Sequence, residues 1–364
     1  MGSRPVGPAA RRDAVGRPRS VRMGVPQLSL DAVTYVLPIK RLRADDDPDL
    51  DHYLRWLSSL VTVVVADGSP SEVAAANARH WGASGVRHLL VTSTSLNGKV
   101  AGVCDGVLAA ETPYVILADD DVRYDQESLQ AVADRLTDHD VVVPQNFFQP
   151  LPWHAQWDTS RALVNRAFGV EYAGTMGLRR ELLLTSRGYC GGVLFENLEL
   201  LRTLRAHGSR PHHALDVFVV RRPPSVGHFV GQRVRQAYDS QAQPARLVVE
   251  LSVLPLVLLA APRRRPLVTA LVAALAVLLA EVGRRRGNGT RVFAASSAGW
   301  APLWLLERAL CSWLALASAA RGGARYSGRR LRRAAHRTSL LGRDTCPEPA
   351  CGCDIRLRLT GSFR

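Results

Sequence analysis

Residues 114–122 read Tyr-Val-Ile-Leu-Ala-Asp-Asp-Asp-Val, and this stretch decides the fold. Tyr114–Ala118 is a short apolar run of the kind that forms a buried strand, and it passes straight into three acids. A strand apolar on both faces belongs in a parallel sheet covered by helices. Side chains at i and i+2 of an extended chain point the same way. Asp119 and Asp121 therefore arrive together at the strand's exposed end. A hard cation such as Mg²⁺ or Mn²⁺ takes oxygen ligands and commonly bridges one or two carboxylates to phosphates. Taken alone, the triplet is explained equally well as a solvated acidic turn.

The flanking sequence repeats the same rhythm. Val33–Pro38, Val61–Ala66, His88–Val91 and Asp140–Val143 read as strands, and Pro48–Leu60, Glu72–Trp81, Lys99–Ala110 and Gln126–Leu136 as helices. Asp47 and Pro48 suit the N-cap and first turn of the first helix. Strands alternating with helices predict an α/β fold with a mostly parallel, Rossmann-like sheet, whose ligands bind at the carboxyl ends of the strands. Asp67 closes Val61–Ala66, and Gly68-Ser69 follows it. A carboxylate there can accept from a nucleobase N–H, and it can also cap the next helix.

Three further segments carry candidate chemistry. Asn97-Gly98-Lys99 opens a helix and places an ammonium where phosphate is favoured, although it lacks the glycines of a P-loop. Phe195-Glu196-Asn197-Leu198-Glu199 offers carboxylates that can serve as general base or as ordinary first-turn acids. Gln232-Arg233-Val234-Arg235-Gln236 can clamp a diphosphate or meet lipid headgroups.

The chain has 364 residues and a formal net charge of +15, which calls for an anionic partner. No helix-turn-helix, zinc-finger or ribonucleoprotein pattern supports nucleic acid. The charge instead flanks apolar blocks at Leu247–Ala261, Pro266–Val282 and Val292–Ala320, separated by Arg263-Arg264-Arg265 and Arg284-Arg285-Arg286. That arrangement predicts membrane association with the number of crossings open between two and three, a soluble helical hairpin or dimerisation module being the alternative, and with Glu307 and Arg308 paired or one of them snorkelling. Residues 1–22 lack the apolar core of a signal peptide, so the catalytic part is expected in the cytoplasm, at the cell membrane. Cys104, Cys190 and Cys311 read as ordinary buried thiols. Cys346, Cys351 and Cys353 lack a fourth ligand nearby for zinc. The resulting division is a disordered basic arm over 1–30, a catalytic domain over 31–245, membrane-associated helices over 246–322 and a disordered basic tail over 323–364.

Taken in order, these segments resemble the inverting family 2 glycosyltransferases with the GT-A fold, over about residues 32–240. In that family one strand ends in a Pro-containing turn, as at Pro38-Ile39-Lys40. A second ends in the Asp that holds the nucleobase, matching Asp67. A third ends in the Asp-x-Asp metal motif, matching Asp119-Asp120-Asp121. An acceptor-side stretch resembles Gly174-Thr175-Met176-Gly177-Leu178-Arg179-Arg180, followed by a Glu-Asp pair and Gln-x-x-Arg-Trp. The resemblance implies transfer of a sugar from a nucleoside-diphosphate sugar, by analogy a UDP-sugar, to a lipid or glycan hydroxyl. It implies a divalent metal on Asp121 and Asp119, and donor contacts from Pro38, Asp67, Lys99, Asp119, Gln232 and Arg235. Two positions depart from the pattern. Asn197 stands where the basic Asp would be, which leaves Glu196 as the candidate base and Glu199 behind it. Gln236 stands where the Trp would be, which points to single-sugar transfer rather than processive synthesis. The competing readings are a catalytically impaired nucleotide-sugar-binding membrane protein and a nucleotidyltransferase. A dinucleotide oxidoreductase is disfavoured because no Gly-x-Gly-x-x-Gly follows the first strand.

Overall fold

The structure, a computed structural model, describes residues 27–43, 47–82, 84–171, 173–260, 266–326 and 328–342. Its centre is an eight-stranded sheet. The first half alternates as the sequence predicts: β1 (Val33–Ile39), α1 (Pro48–Ser58), β2 (Thr62–Asp67), α2 (Ser71–Gly82), β3 (Arg87–Leu90), α3 (Gly98–Ala109) and β4 (Tyr114–Ala118). The Asp47 side chain accepts from Leu50 N and caps α1 as predicted, with Pro48 in the first turn. Strands β3, β2, β1 and β4 lie side by side and parallel. β1, β2 and β4 carry the continuous apolar runs that a doubly covered sheet requires, while β3, at the edge, does not.

The second half is mixed rather than parallel. It comprises β5 (Val122–Arg123), α4 (Gln126–Arg135), β6 (Val141–Phe148), α5 (Trp153–Ala167), β7 (Thr175–Arg179), α6 (Arg180–Thr185), α7 (Glu196–Ala206) and β8 (His212–Arg221). The full order is β3-β2-β1-β4-β7-β6-β8-β5. β7 pairs antiparallel with both β4 and β6, and β5 antiparallel with β8, while β6 and β8 run parallel. Two apolar clusters pack on the sheet. One holds Tyr35, Leu54, Trp81 and Leu129, and the other holds Val36, Val103, Leu117 and Leu201.

The remaining helices close around this core. They are α8 (Val226–Gly231), α9 (Arg233–Tyr238), α10 (Pro244–Ala260), α11 (Pro266–Arg285), α12 (Ser296–Gly299) and α13 (Ala301–Ala320). The apolar block Val292–Ala320 is therefore not one helix; it is broken ahead of α13. Among the described residues, two helical stretches are long and apolar enough to cross a membrane, Pro266–Arg291 and Ala301–Ala320.

Helix α13, however, packs on α5 and α9 of the catalytic domain and on α10 and α11. Ala301 packs with Leu163 and Phe293 at one end, and Cys311 and Ala315 pack with Leu198 and Tyr238 towards the other. In between, Glu307 accepts from Trp157 Nε1 at 3.2 Å and stands 3.6 Å from Arg233, and Ser312 Oγ donates to Glu250 at 2.9 Å. Glu307 thus pairs with Arg233 of α9 rather than with its neighbour Arg308, which is fully buried over Trp304.

Several expectations need correction. The predicted disordered arm, 1–30, ends early: Leu28 N donates to Asp134 Oδ1 at 3.0 Å, and Gln130 donates to Leu28 O. Residues 1–26 lie outside the described residues, as do Arg263–Arg265. The predicted disordered tail begins as folded chain. A hairpin, β9 (Ala324–Tyr326) with β10 (Arg329–Leu331), precedes the short α14 (Thr338–Leu341). Buried Leu331 and Ala334 pack with Leu194, Leu198 and Tyr238, an apolar area that the tail's many arginines hide from a composition count. Cys346, Cys351 and Cys353 lie outside the described residues. Cys190 and Cys311 are buried free thiols, but Cys104 is disulfide-bonded.

Candidate active site

The carboxyl edge of the parallel strands builds the site. β4 ends at Ala118, and the Asp119 backbone N–H donates to Gly174 O at 2.8 Å, which pins the acid turn to the start of β7. A Cβ on Gly174 would stand 2.6 Å from Asp119 Oδ2, so only glycine lets β7 pass this close. Asn146 Oδ1 accepts from Gly174 N at 2.7 Å and steadies the same turn.

Lys99 reaches into this turn from the first turn of α3, whose N-cap is Asn97. Its Nζ lies 2.5 Å from Asp119 Oδ1 and 2.6 Å from Glu196 Oε1. Burial alone would lower the Lys99 pKa; the two carboxylates outweigh it and raise it above the usual lysine value. Arg221, the last residue of β8, completes the cluster. Its Nε donates to Asp121 Oδ2 at 2.8 Å, and its Nη2 stands 3.4 Å from Asp119 Oδ2. Burial raises the Asp121 carboxyl, with Arg221 opposing the rise. For Asp119, burial is overcome by Lys99 and Arg221, and its pKa falls.

Sequence reasoning missed Arg221. The signal was present, since an apolar run, Val217–Val220, ends in Arg221-Arg222 just as the other strands end in acids.

A cleft of about 170 Å³ opens beside this cluster, lined by Asp119, Glu196, Asn197, Arg221, Gln232 and Arg235, with Asp239, Arg161 and Arg246 on its far side. Gln232 contacts His228, and Arg235 stacks over the Tyr326 ring of β9 at 4.7 Å. The folded part of the tail therefore backs Arg235 beside the site. Pro38 and Lys99 line a smaller adjoining space of about 10 Å³ with Gly174 and Asn197.

Asp67 closes β2 on the same sheet edge, two strands from β4. By strand spacing, it is on the order of 10 Å from the acid turn. Its carboxylate is buried and accepts from Ser69 N and Asn77 Nδ2, both at 2.8 Å, and meets His88 Nε2 at 3.0 Å. Burial would raise its pKa, but the hydrogen bonds from Asn77, Ser69 and His88 prevail and lower it. Asp67 thus holds the turn at 67–69 in this structure, and it does not line the cleft. Asn197 is also engaged: its Nδ2 donates to Ala173 O at 3.3 Å, and its Oδ1 accepts from Lys99 at 3.4 Å.

A cation fits beside Asp121. Its Oδ1 is buried and has no hydrogen-bond partner, an oxygen that a hard cation would satisfy. Asp119 has less to offer, because Lys99 and Arg221 already engage its two oxygens. A second group of possible ligands, Cys190, Glu199 and His336, is buried away from the cleft. Glu199 accepts from both the ring and the backbone N–H of His336 at 2.7 Å. With both oxygens occupied and no exposure, Glu199 is a tie between α7 and the tail rather than a reserve base.

A parallel half-sheet whose carboxyl edge presents paired acids between fixed cations is the layout of a GT-A catalytic domain. Residues 57–199 match the family described as glycosyl transferase family 2. The chain carries a family 2 glycosyltransferase domain and is a glycosyltransferase. A search of curated proteins found no match. Among solved structures, a mannosyltransferase from Pyrobaculum calidifontis, in complex with GDP-Man and Mn²⁺, is 19% identical, with 82% of this chain and 90% of that one covered and a TM-score of 0.48. A glucosyl-3-phosphoglycerate synthase from Mycobacterium tuberculosis, in complex with Mg²⁺ and uridine-diphosphate, is 17% identical, with 58% and 79% covered and a TM-score of 0.41.

Proposed function

We propose that this glycosyltransferase moves a single sugar from a nucleoside-diphosphate sugar, by resemblance a UDP-sugar, to a hydroxyl of a lipid or glycan at the cytoplasmic face of the cell membrane, with inversion. The observation that carries the proposal is the cluster in which Lys99 and Arg221 hold Asp119 and Asp121 at the mouth of a basic cleft. The donor's diphosphate lies against this cluster. Gln232 and Arg235 approach it from the cleft side, and Pro38 bounds it from below. Asp67 supports the nucleoside end by fixing the 67–69 turn, whose backbone meets the base.

Asp121, with Asp119 beside it, would hold Mg²⁺ or Mn²⁺. When bound, such an ion offsets negative charge on the departing diphosphate. The protein's own contribution is permanent: Arg221 and Lys99 sit preorganised in a water-poor site, where fixed charge stabilises a developing anion most effectively. Glu196 is the base that the sequence nominates. With Lys99 at 2.6 Å, it also holds that ammonium against Asp119.

Two features support membrane contact. The exposed side of α13 presents Leu303, Leu306, Leu310, Trp313 and Leu314 at helical spacing. With its other side covered by α5, α9, α10 and α11, α13 lies along the bilayer surface in this reading. Arginines at 284–286 and 321–333 suit anionic headgroups there.

The test is a panel of nucleotide-sugars incubated with the full chain in vesicles, read as nucleoside-diphosphate release with and without Mn²⁺. Metal-stimulated release from one donor is the expected result. Tight donor binding without any release would favour the catalytically impaired reading, to which Asn197 lends its weight. Diphosphate release from a nucleoside triphosphate would make the chain a nucleotidyltransferase.

A further inference from the structure

Displacement at the anomeric carbon requires a group on the acceptor side that takes the proton of the attacking hydroxyl. Three carboxylates line the cleft: Asp119, Glu196 and Asp239. Asp119 is held between Lys99 and Arg221. Glu196 Oε1 is already engaged by Lys99 at 2.6 Å. Asn197 is an amide and cannot accept a proton.

Asp239 differs from all of them. It follows α9, the helix of Arg235, and opens the one-turn segment Asp239–Ala242. Among the described residues it makes no ion pair, and its Oδ1 is buried without a hydrogen-bond partner. A buried carboxylate oxygen left unmatched at the edge of a cleft costs stability unless something arrives to bond it. An acceptor hydroxyl is such a partner.

We infer that Asp239 is the catalytic residue that deprotonates the acceptor hydroxyl, an inference that rests on the glycosyl-transfer reading of the cleft. The hydroxyl oxygen forms its bond to the anomeric carbon as the bond from that carbon to the diphosphate oxygen breaks. The electron pair of the broken bond leaves with the nucleoside diphosphate. The hydroxyl proton passes to Asp239, which returns it to water once the product has left.

The environment agrees with the role. Burial pushes the Asp239 carboxyl up to about 7 against the pull of Arg235, with Glu196 adding to the rise and Arg308 and Arg161 opposing it. These groups face Asp239 from α9, α7, α13 and α5, and Arg246 of α10 lines the same cleft. A base works best with a pKa near the working pH. Activity should rise with pH through the range where Asp239 loses its proton.

The experiment uses the full chain in vesicles and whichever of UDP-glucose, UDP-N-acetylglucosamine or GDP-mannose it turns over fastest. The kcat/KM is followed against pH, and the affinity for the matching nucleoside diphosphate is measured separately. The wild type should show an acid limb near pH 7. Asp239→Asn should lose the limb and about 10²- to 10⁴-fold in kcat, with nucleoside-diphosphate affinity unchanged. Asp239→Glu should recover part of the rate with a displaced limb, and Glu196→Gln should keep the limb but move it to lower pH, because the charge that adds to the Asp239 rise is gone. An Asp239→Asn enzyme that keeps wild-type kcat or the acid limb overturns the inference. So does a limb that survives unshifted in Asp239→Glu and vanishes in Glu196→Gln, a comparison that stands even if the Asn variant does not fold. A wild type that binds these donors yet releases no diphosphate defeats the glycosyl-transfer reading first, and the role of Asp239 falls with it.

Discussion

Asp121 presents one carboxylate oxygen to Arg221 and buries the other without a partner. Replacing it with Asn keeps the shape and removes the charge. Asp121→Asn should leave circular dichroism unchanged and lower metal-stimulated turnover about 10²- to 10³-fold, the usual cost of losing one preorganised electrostatic contact. Arg221 is the complementary test. Without its guanidinium, Asp119 and Asp121 repel each other with Lys99 and the weaker pull of Arg235 to offset them. Arg221→Met should cost about 2 kcal/mol, the figure for a broken buried pair discounted for the partial exposure of these groups. Millimolar Mn²⁺ should then raise the variant's Tm more than the wild type's, because the cation replaces the missing charge. At this scale the acids were legible because a strand points them out of an apolar run. Arg221 was not, because its strand pairs far along the chain and an arginine after apolar residues reads as surface charge. The state of Asp67 and Glu196 could not be read either, since hydrogen-bond partners such as Asn77 and Lys99 come from other segments.

Helix α3 shows how close packing places Lys99. Its glycines face the sheet: a Cβ on Gly102 would stand 2.9 Å from Pro38 Cβ, and one on Gly106 would collide with Val36 Cγ1. Gly106→Val should push α3 off β1 and β2 and cost about 1–3 kcal/mol in urea unfolding, with donor affinity falling because Lys99 moves with the helix. The tail is fixed by a different device, the fully buried Glu199–His336 contact. His336→Ala removes the ring donor and leaves Glu199 only the backbone N–H. A loss of about 3 kcal/mol is expected, and with it weaker ordering of Tyr326 against Arg235. Limited proteolysis would read the latter as earlier cleavage after residue 320, whereas unchanged cleavage would deny the coupling. The parallel elements up to β4 were readable because each is a clean apolar run bounded by turn residues. In the mixed half only α4 and the start of β6 were. β7 is only Thr175–Arg179 with Gly177 at its centre, and β5 has two residues. Their strand character comes from neighbours already in place, which no local pattern records.

For the whole molecule the question is how a strongly basic chain sits at a membrane. Composition alone allows spanning helices, and two stretches meet the length requirement. The proposed surface placement of α13 rests on its packing, since one side from Ala301 to Ala315 is covered by α5, α9, α10 and α11. What α13 itself leaves for lipid is one stripe, Leu303 to Leu314, with Trp313 in the position an interfacial aromatic prefers. Each leucine on that stripe adds about 1.5–3 kcal/mol when buried. Leu306→Glu with Leu310→Glu should therefore weaken binding to vesicles containing anionic lipid by on the order of a hundredfold or more. The detergent-solubilised variant should keep its nucleoside-diphosphate affinity, because neither side chain touches the cleft. Raising the salt should weaken the wild type further, through screening of the arginines. A spanning α13 predicts the opposite pattern. The double variant would then misfold or fail to insert, and salt would leave wild-type binding untouched. Vesicle flotation of the two proteins across a salt series separates these geometries, and retention of the double variant on anionic vesicles at wild-type affinity would remove α13 from the membrane surface altogether.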